Sequence, residues 1–497
     1  MMSTSEIPQL HVMFLPFLAL GHMIPTIDMA KLFGARGVKT TIVTTPVNSP
    51  VFSKAIQRIS KDSGVQIGIK IINFPCAEAG LPDGCENINA IPKGETNMEM
   101  SINFLKALSM LQEPVEHLLS ECKPNCLVAD MFFTWANESA SKFGIPRLLF
   151  NGSCSFYLCT TACMMMYEPY KHVSSDSEPF VVPGLPGDIK LTKKQLPEFM
   201  LSNDDDNEFA KLLKKTNEED LKSYGVVVNS FYELEPTYAD YCRNVLRKRT
   251  WHIGPLSLCN KNFEDKALRG KQASIDENEC LKWLNSKKPD SVVYICFGSG
   301  ANFNSDQLME LAMGIEASGQ DFIWVVRKDH DKKVEDIGNE QDWLPEGFEK
   351  RMEGKGLIIR GWAPQVLILE HGSIGGMLTH CGWNSTIEGV TAGVPMVTWP
   401  LFADQFYNEK LVTQDLKIGV GVGGQEMITN MGVSVVKREA IEKALKEITV
   451  GDGAEEMKKR AKGLGLMARR AVEEGGSSSS DLNALIEELS SLSQLKQ

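Results

Sequence analysis

Cysteine is scarce: twelve in 497 residues, irregularly spaced and without a CxxC pair of the zinc-binding type. Buried thiols in a reducing compartment are the expectation, not a disulfide framework. Positive charge is also short. Fifty-two Lys and Arg against 64 Asp and Glu leave a net charge of −12, which argues against non-specific attraction to nucleic acid or anionic membrane. An anionic ligand would need a local site built from backbone dipoles or a few side chains. No run of about 20 apolar residues occurs, so no transmembrane segment is expected. The apolar stretch at residues 10–20 lacks a basic flank, contains Pro16 and leads into Gly21-His22. It reads as a first strand, not a secretion signal. A soluble, cytoplasmic protein is expected, with the sequons at Asn137, Asn151 and Asn384 unused.

What is present is an ordinary globular balance, 43% hydrophobic and 23% charged, in a chain long enough for two or three domains. Short β-branched runs alternate with helical periodicity almost from the start. Strands are expected at residues 11–17, 39–45, 66–74, 126–131 and 147–152, with helices at 22–34 and 135–143. A charged stretch without apolar periodicity, containing Arg269-Gly270-Lys271, covers residues 257–275 and reads as a linker. A second alternating series follows, including strands at 291–297, 376–380 and 396–399 and helices at 305–318, 385–392 and 405–415. The expected fold is α/β: two Rossmann-like, doubly wound parallel-sheet domains facing across a cleft. Their bounds are 1–256 and 276–475. Residues 476–497 supply a hinge, flexible through Ser477 to Ser480, and a final helix packing back toward the first domain.

The most informative segment runs from Trp362 to Gln405 and contains Leu378-Thr379-His380-Cys381-Gly382-Trp383-Asn384-Ser385. A strand end, a tight turn and a helix start in that order make an anion site, because free N–H groups and the helix dipole face the crevice. Gly382 permits close backbone approach, and His380 can donate to a phosphate oxygen. On local grounds, Ser385-Thr386-Ile387-Glu388 also fits a capping box.

The whole segment resembles the signature box of plant family 1 UDP-dependent glycosyltransferases, of GT-B fold. The resemblance implies that Trp362 stacks on uracil while the Ala363 backbone and Gln365 fix the base. It implies that Glu388 binds the ribose hydroxyls, and that His380, Asn384 and Ser385 hold the diphosphate with help from Ser299. Trp383, Asp404 and Gln405 would face the sugar. A terminal Gln in the box goes with UDP-glucose. The UDP-sugar is then a co-substrate, with no further cofactor and no metal required, and a monomer is expected.

His22 stands where a strand gives way to a helix, the position at which α/β folds place function, and its ordinary pKa near 6.5 suits a base at neutral pH. Asp130 ends another strand of the same domain. In the resembling family, the histidine and aspartate at these positions form the dyad that deprotonates the acceptor hydroxyl; a buried structural Asp is the alternative. The expected enzyme is an inverting hexosyltransferase of plant secondary metabolism, glucosylating a small apolar triterpenoid or flavonoid on its first domain. UDP-galactose or UDP-glucuronate as donor, and a non-catalytic nucleotide-sugar binder, are the alternatives. The residues 79–87 resemble a subgroup acting on triterpenoids, steroids and flavonoids. Phe132, Phe133, Phe156, Tyr157 and Met164-Met165-Met166 are candidate pocket residues, although consecutive methionines of a helix cannot all face one site and core packing is the expectation for most of them. Asn151 is a further sugar-contact candidate. The GxGxxG at residues 419–424 lies in a late strand and lacks a following helix. Asp204-Asp205-Asp206 and Asp329-His330-Asp331 have D-x-D spacing but lie in charged stretches that read as solvated loops.

Overall fold

Strands that are apolar at every position need cover on both faces, and this chain provides it twice. The computed structural model describes residues 9–91, 97–201, 208–301, 303–326, 343–424, 426–427 and 435–495. The first sheet contains β1 (His11–Leu15), β2 (Lys39–Thr44), β3 (Ile67–Ile71), β4 (Cys126–Ala129) and β5 (Arg147–Leu149). A short hairpin, β6 (Phe180–Val181) and β7 (Lys190–Leu191), intervenes before β8 (Gly225–Val228) and β9 (Thr250–His252) complete that sheet. The second sheet contains β10 (Val292–Cys296), β11 (Asp321–Val326), β12 (Gly356–Arg360), β13 (Ile374–Thr379), β14 (Met396–Thr398) and β15 (Gly419–Gly421). All residues of β1, β4, β10 and β13 are buried.

The strand orders are β3-β2-β1-β4-β5-β8-β9 and β12-β11-β10-β13-β14-β15, and neighbouring strands within both sheets pair in parallel. In each sheet the chain runs outward from its first strand, then returns to that strand's other side. The reversal lies between β1 and β4 in one sheet and between β10 and β13 in the other. A crevice opens at such a switch point beyond the carboxyl ends of the strands. Leu15 pairs with Ala129 there, and Cys296 with Thr379. Residues just beyond these pairs therefore lie at that crevice.

Separate apolar clusters lie on the two faces of each sheet. A fifth joins the helix Ser155–Tyr167 to Trp383, Ile387, Tyr407 and Leu411, so the two sheet units share buried surface. The late glycine run has a packing role. A Cβ on Gly419 would meet the Met396 carbonyl oxygen at 2.7 Å, so glycine lets β15 lie close to β14. None of the twelve cysteines is in a disulfide, and no described helix is long and apolar enough to cross a membrane.

Ser477 to Ser480 do not form a flexible hinge. They make the first turn of the helix Ser477–Gln494, where burial of Ser478 and Ser479 holds them. Leu482, Leu485 and Leu489 of that helix join the core around β1, and Asp481 pairs with Arg243 at 2.8 Å. Replacing the fully buried Leu485 by alanine is expected to lower stability by about 2–5 kcal/mol, read as a lower urea midpoint. The same change at Leu495, 85% exposed, should move stability by less than about 0.5 kcal/mol.

Candidate active site

The helix after β1 spans Leu20–Gly34 and starts two residues before the expected position, so His22 lies in its first turn. The His22 Nδ1 is 2.6 Å from Oδ2 of Asp130, with 24% of the histidine side chain and 1% of the aspartate side chain exposed. A carboxylate accepts, so Nδ1 carries the proton and Nε2 keeps the lone pair. Asp130 is held by its own N–H on Leu15 O (3.1 Å) and by Arg147 Nη2 donating to its carbonyl (3.0 Å). Burial opposes charge on His22, but Asp130 outweighs it and Asp404 adds to the effect, so its pKa is raised above 6.5. Phe17 packs edge-on to the imidazole, 5.2 Å between ring centres, and Phe132 lies 4.4 Å beyond.

Not all candidate pocket residues belong to this wall. Phe133, Phe156 and Met164 are buried in cores, whereas Met165 and Met166 are exposed; a helix cannot aim consecutive side chains at one site. Tyr157, partly buried, approaches Tyr407 with ring centres 6.0 Å apart. Asn151 Oδ1 accepts from Ser153 N–H at 3.1 Å.

On the opposite side, His380 follows β13 and sits between two glycines. A Cβ on Gly298 would stand 2.6 Å from His380 Nε2, and one on Gly382 would stand 2.5 Å from the same atom. Gly298 also has φ +70°, a region that penalises side chains. Burial lowers the His380 pKa to about 4, leaving a neutral ring with one N–H; its buried Nδ1 has no hydrogen-bond partner among the described residues. Ser299, half-buried, follows Gly298.

The helix after this turn is Trp383–Ala392, with Gly382 as its N-cap. Its first backbone bond runs from Thr386 N–H to Gly382 O at 3.0 Å. The N–H groups of Trp383, Asn384 and Ser385 are the donors that an α-helix leaves over at its start. The capping box is not formed, because the helix begins two residues earlier and Ser385 is already inside it. Instead, Gln365 Nε2 donates to Ser385 Oγ (3.1 Å) and Glu388 Oε2 (2.7 Å), and its Oε1 accepts from the Tyr294 hydroxyl (3.3 Å). Glu388 Oε1 is ion-paired with Arg269. Trp362 is half-buried and Ala363 beside it is buried.

Several groups cross between the two sides. Asn384 Nδ2 donates to Gly21 O at 2.6 Å, one residue before His22. The Trp383 indole is buried and donates to Asn229 O at 2.8 Å, so it meets the first sheet unit while its backbone stays at the turn. Asp404 Oδ2 accepts from Asn408 (2.9 Å) and from Ser153 Oγ (3.4 Å); burial raises its pKa despite the Asn408 bond. Gln405 Oε1 accepts from Leu401 and Phe402 N–H, leaving Nε2 to donate. Asp28, Gly298, Asn229 and Ser153 were not singled out by sequence reasoning, and Arg269 entered it only as part of a charged linker. No motif marks them, since each acts through a partner far along the chain. Both D-x-D segments lie outside the described residues. Among those described, no group of three or more His, Cys, Asp or Glu could hold a metal ion.

This arrangement sets a hydrogen-bonded histidine–aspartate pair beside a turn at which a helix begins. Residues 110–451 match the family model described as "UDP-glucoronosyl and UDP-glucosyl transferase". The chain belongs to the UDP-glycosyltransferase family. This UDP-glycosyltransferase is 56% identical to scopoletin glucosyltransferase of Nicotiana tabacum, covering 98% of this chain and 99% of that one. It is 55% identical to UDP-glucose flavonoid 3-O-glucosyltransferase 7 of Fragaria ananassa, covering 99% and 98%. The crystal structure of Glycyrrhiza uralensis UGT73P12 complexed with glycyrrhetinic acid 3-O-monoglucuronide aligns with TM-score 0.89 and 40% identity, covering 98% and 97%. The two facing sheets are accordingly the GT-B fold.

In this UDP-glycosyltransferase, Gly382→Ala is expected to weaken UDP binding at least about tenfold by displacing the His380 ring, the worth of one hydrogen bond to a charged group. Titration calorimetry reads the loss. Gly463→Ala, with nothing within 4 Å of the new methyl, should leave the affinity unchanged.

Proposed function

We propose that this enzyme transfers glucose from UDP-glucose to a hydroxyl of a small, rigid, apolar plant metabolite, with inversion at the anomeric carbon. The observation that carries the chemistry is the 2.6 Å contact between His22 Nδ1 and Asp130, which leaves Nε2 as the basic nitrogen. The acceptor O–H gives its proton to Nε2 while its oxygen attacks the anomeric carbon. The bond from that carbon to the β-phosphate oxygen breaks, and its electron pair leaves with UDP. The N–H groups of Trp383, Asn384 and Ser385, with the His380 ring, take up the departing charge; Ser299 is a further donor to it. Trp362, Ala363 and Gln365 hold the base, Glu388 the ribose, and Asp404 with Gln405 the sugar. Holding both substrates across the cleft contributes through orientation.

Glucose is supported by Gln405 and by relatives whose names specify glucosyl transfer. The acceptor class is supported by the Phe17–Phe132 wall and by the coumarin, flavonoid and triterpenoid named for the relatives; a flat or rigid ring system fits such a wall. Incubation of the enzyme with UDP-glucose, UDP-galactose or UDP-glucuronate and a panel of such aglycones, read by mass spectrometry, is expected to give a hexoside from UDP-glucose. Product from either other donor alone would overturn the donor assignment, and UDP binding without any product would favour a non-catalytic binder.

Two variants address the base. His22→Ala should lower kcat by roughly 10²–10⁴-fold with donor KM little changed, and near wild-type turnover would remove the assignment. Because the His22 pKa is raised, its basic form accumulates only as pH climbs through a value above 6.5. The acidic limb of kcat/KM for the acceptor is expected there. Asp130→Asn removes the main raising influence, so the limb should move to lower pH while the plateau rate falls.

A further inference from the structure

The linker contributes a buried side chain that the chemistry just described does not use. Arg269 lies between two carboxylates. Its Nε donates to Asp28 Oδ2 at 2.8 Å and its Nη1 pairs with Glu388 Oε1. The Asp28 side chain is 1% exposed, that of Glu388 4% and that of Arg269 11%. Asp28 belongs to the helix Leu20–Gly34, six positions after His22. It also accepts from Asn260 Nδ2 at 2.8 Å. The same linker lies against the base-binding edge. A Cβ on Gly270 would meet Trp362 Cζ2 at 2.4 Å, and Ser274 exchanges hydrogen bonds with the Trp362 backbone at 2.8 and 2.9 Å.

We propose that Arg269 is a positioning residue for the nucleoside half of the donor, orienting Glu388 for the ribose and tying it to the helix that carries His22. The inference rests on the reading of Glu388 as the ribose acceptor. A carboxylate offers about four lone-pair positions. Arg269 takes one on Oε1 and Gln365 one on Oε2, which fixes the plane of the group and leaves one open position on each oxygen. A ribose 2′,3′-diol has two O–H donors to fill them. Without the guanidinium, two buried carboxylates would be left without their shared cation, and Glu388 would lose one of its two anchors. The two bonds leave from different nitrogens of one rigid fork, so the point charge of lysine reproduces the charge but not both contacts.

The test is steady-state kinetics with UDP-glucose on the full-length enzyme. Arg269→Met is expected to raise the donor KM at least tenfold with kcat within about threefold, and Arg269→Lys to recover part of the loss. Asp28→Asn, which keeps the guanidinium but weakens its other anchor, should raise the donor KM by a smaller factor and serves where Arg269→Met does not fold. In a Glu388→Gln background, the Arg269→Met change should add less than twofold, because its route through the carboxylate is already gone. If Glu388→Gln raises the donor KM but Arg269→Met and Asp28→Asn leave it within twofold, this inference fails alone. If Glu388→Gln also leaves it unchanged, the ribose reading fails with it. Full additivity of the two changes would reduce Arg269 to a structural strut.

Discussion

An α-helix that starts at a crevice begins with N–H groups that nothing inside the helix can bond, and this molecule depends on where it puts three of them. The chain is acidic overall, so its long-range field does not favour a diphosphate. The local field at Trp383, Asn384 and Ser385 does. Delivering those groups requires β13 to end at Thr379 and the chain to reverse within His380, Cys381 and Gly382. Cys381 takes φ +63° to do so, a conformation that is uncommon for a non-glycine residue. Its N–H on Thr379 Oγ1 and its carbonyl on Asn408 Nδ2 hold it there. The strained turn is thus braced from two sides.

The same turn is fastened to the other half of the molecule. Asn384 reaches Gly21, Trp383 reaches Asn229, Asp404 reaches Ser153, and Arg269 reaches both Asp28 and Glu388. These contacts meet the segments on either side of His22 and the loops after β5 and β8. In the proposed mechanism, a base and a leaving-group site contributed by separate sheets must keep their spacing closely for in-line displacement. Polar ties of defined length do this better than apolar packing, which tolerates sliding. Asn384 has a second aspect: its amide is already engaged with Gly21. Any bond it makes to a phosphate therefore shares an atom group with the positioning of the His22 turn.

The parts of this design that were legible in the sequence are those written in contiguous residues. Alternating apolar strands and helices gave the two-sheet α/β architecture, and the strand-end positions of His22, Asp130 and His380 followed from it. The start of the helix at Trp383 was harder to see, because Ser385 and Glu388 fit a capping box on local grounds, whereas Gln365 and Arg269 engage them from elsewhere. The serine run at 477–480 read as flexible because composition says nothing of burial; burial of Ser478 and Ser479 makes it helix. Arg269 read only as one charge of a linker for a related reason. Its two partners lie 241 and 119 positions away, and no local pattern encodes either.

Two histidines at the cleft show why residue type alone assigns no role. His22 and His380 both leave water, and burial pushes both toward the neutral form. Beside His22 stands a carboxylate at 2.6 Å, which reverses the balance and raises the pKa. Beside His380 stand two glycines and no charge, so desolvation acts unopposed and the pKa falls to about 4. In the proposed mechanism the first ring takes up a proton, and Asp130 holds the resulting cation. The second stays neutral across the physiological range and, in the proposed mechanism, offers an N–H to the diphosphate.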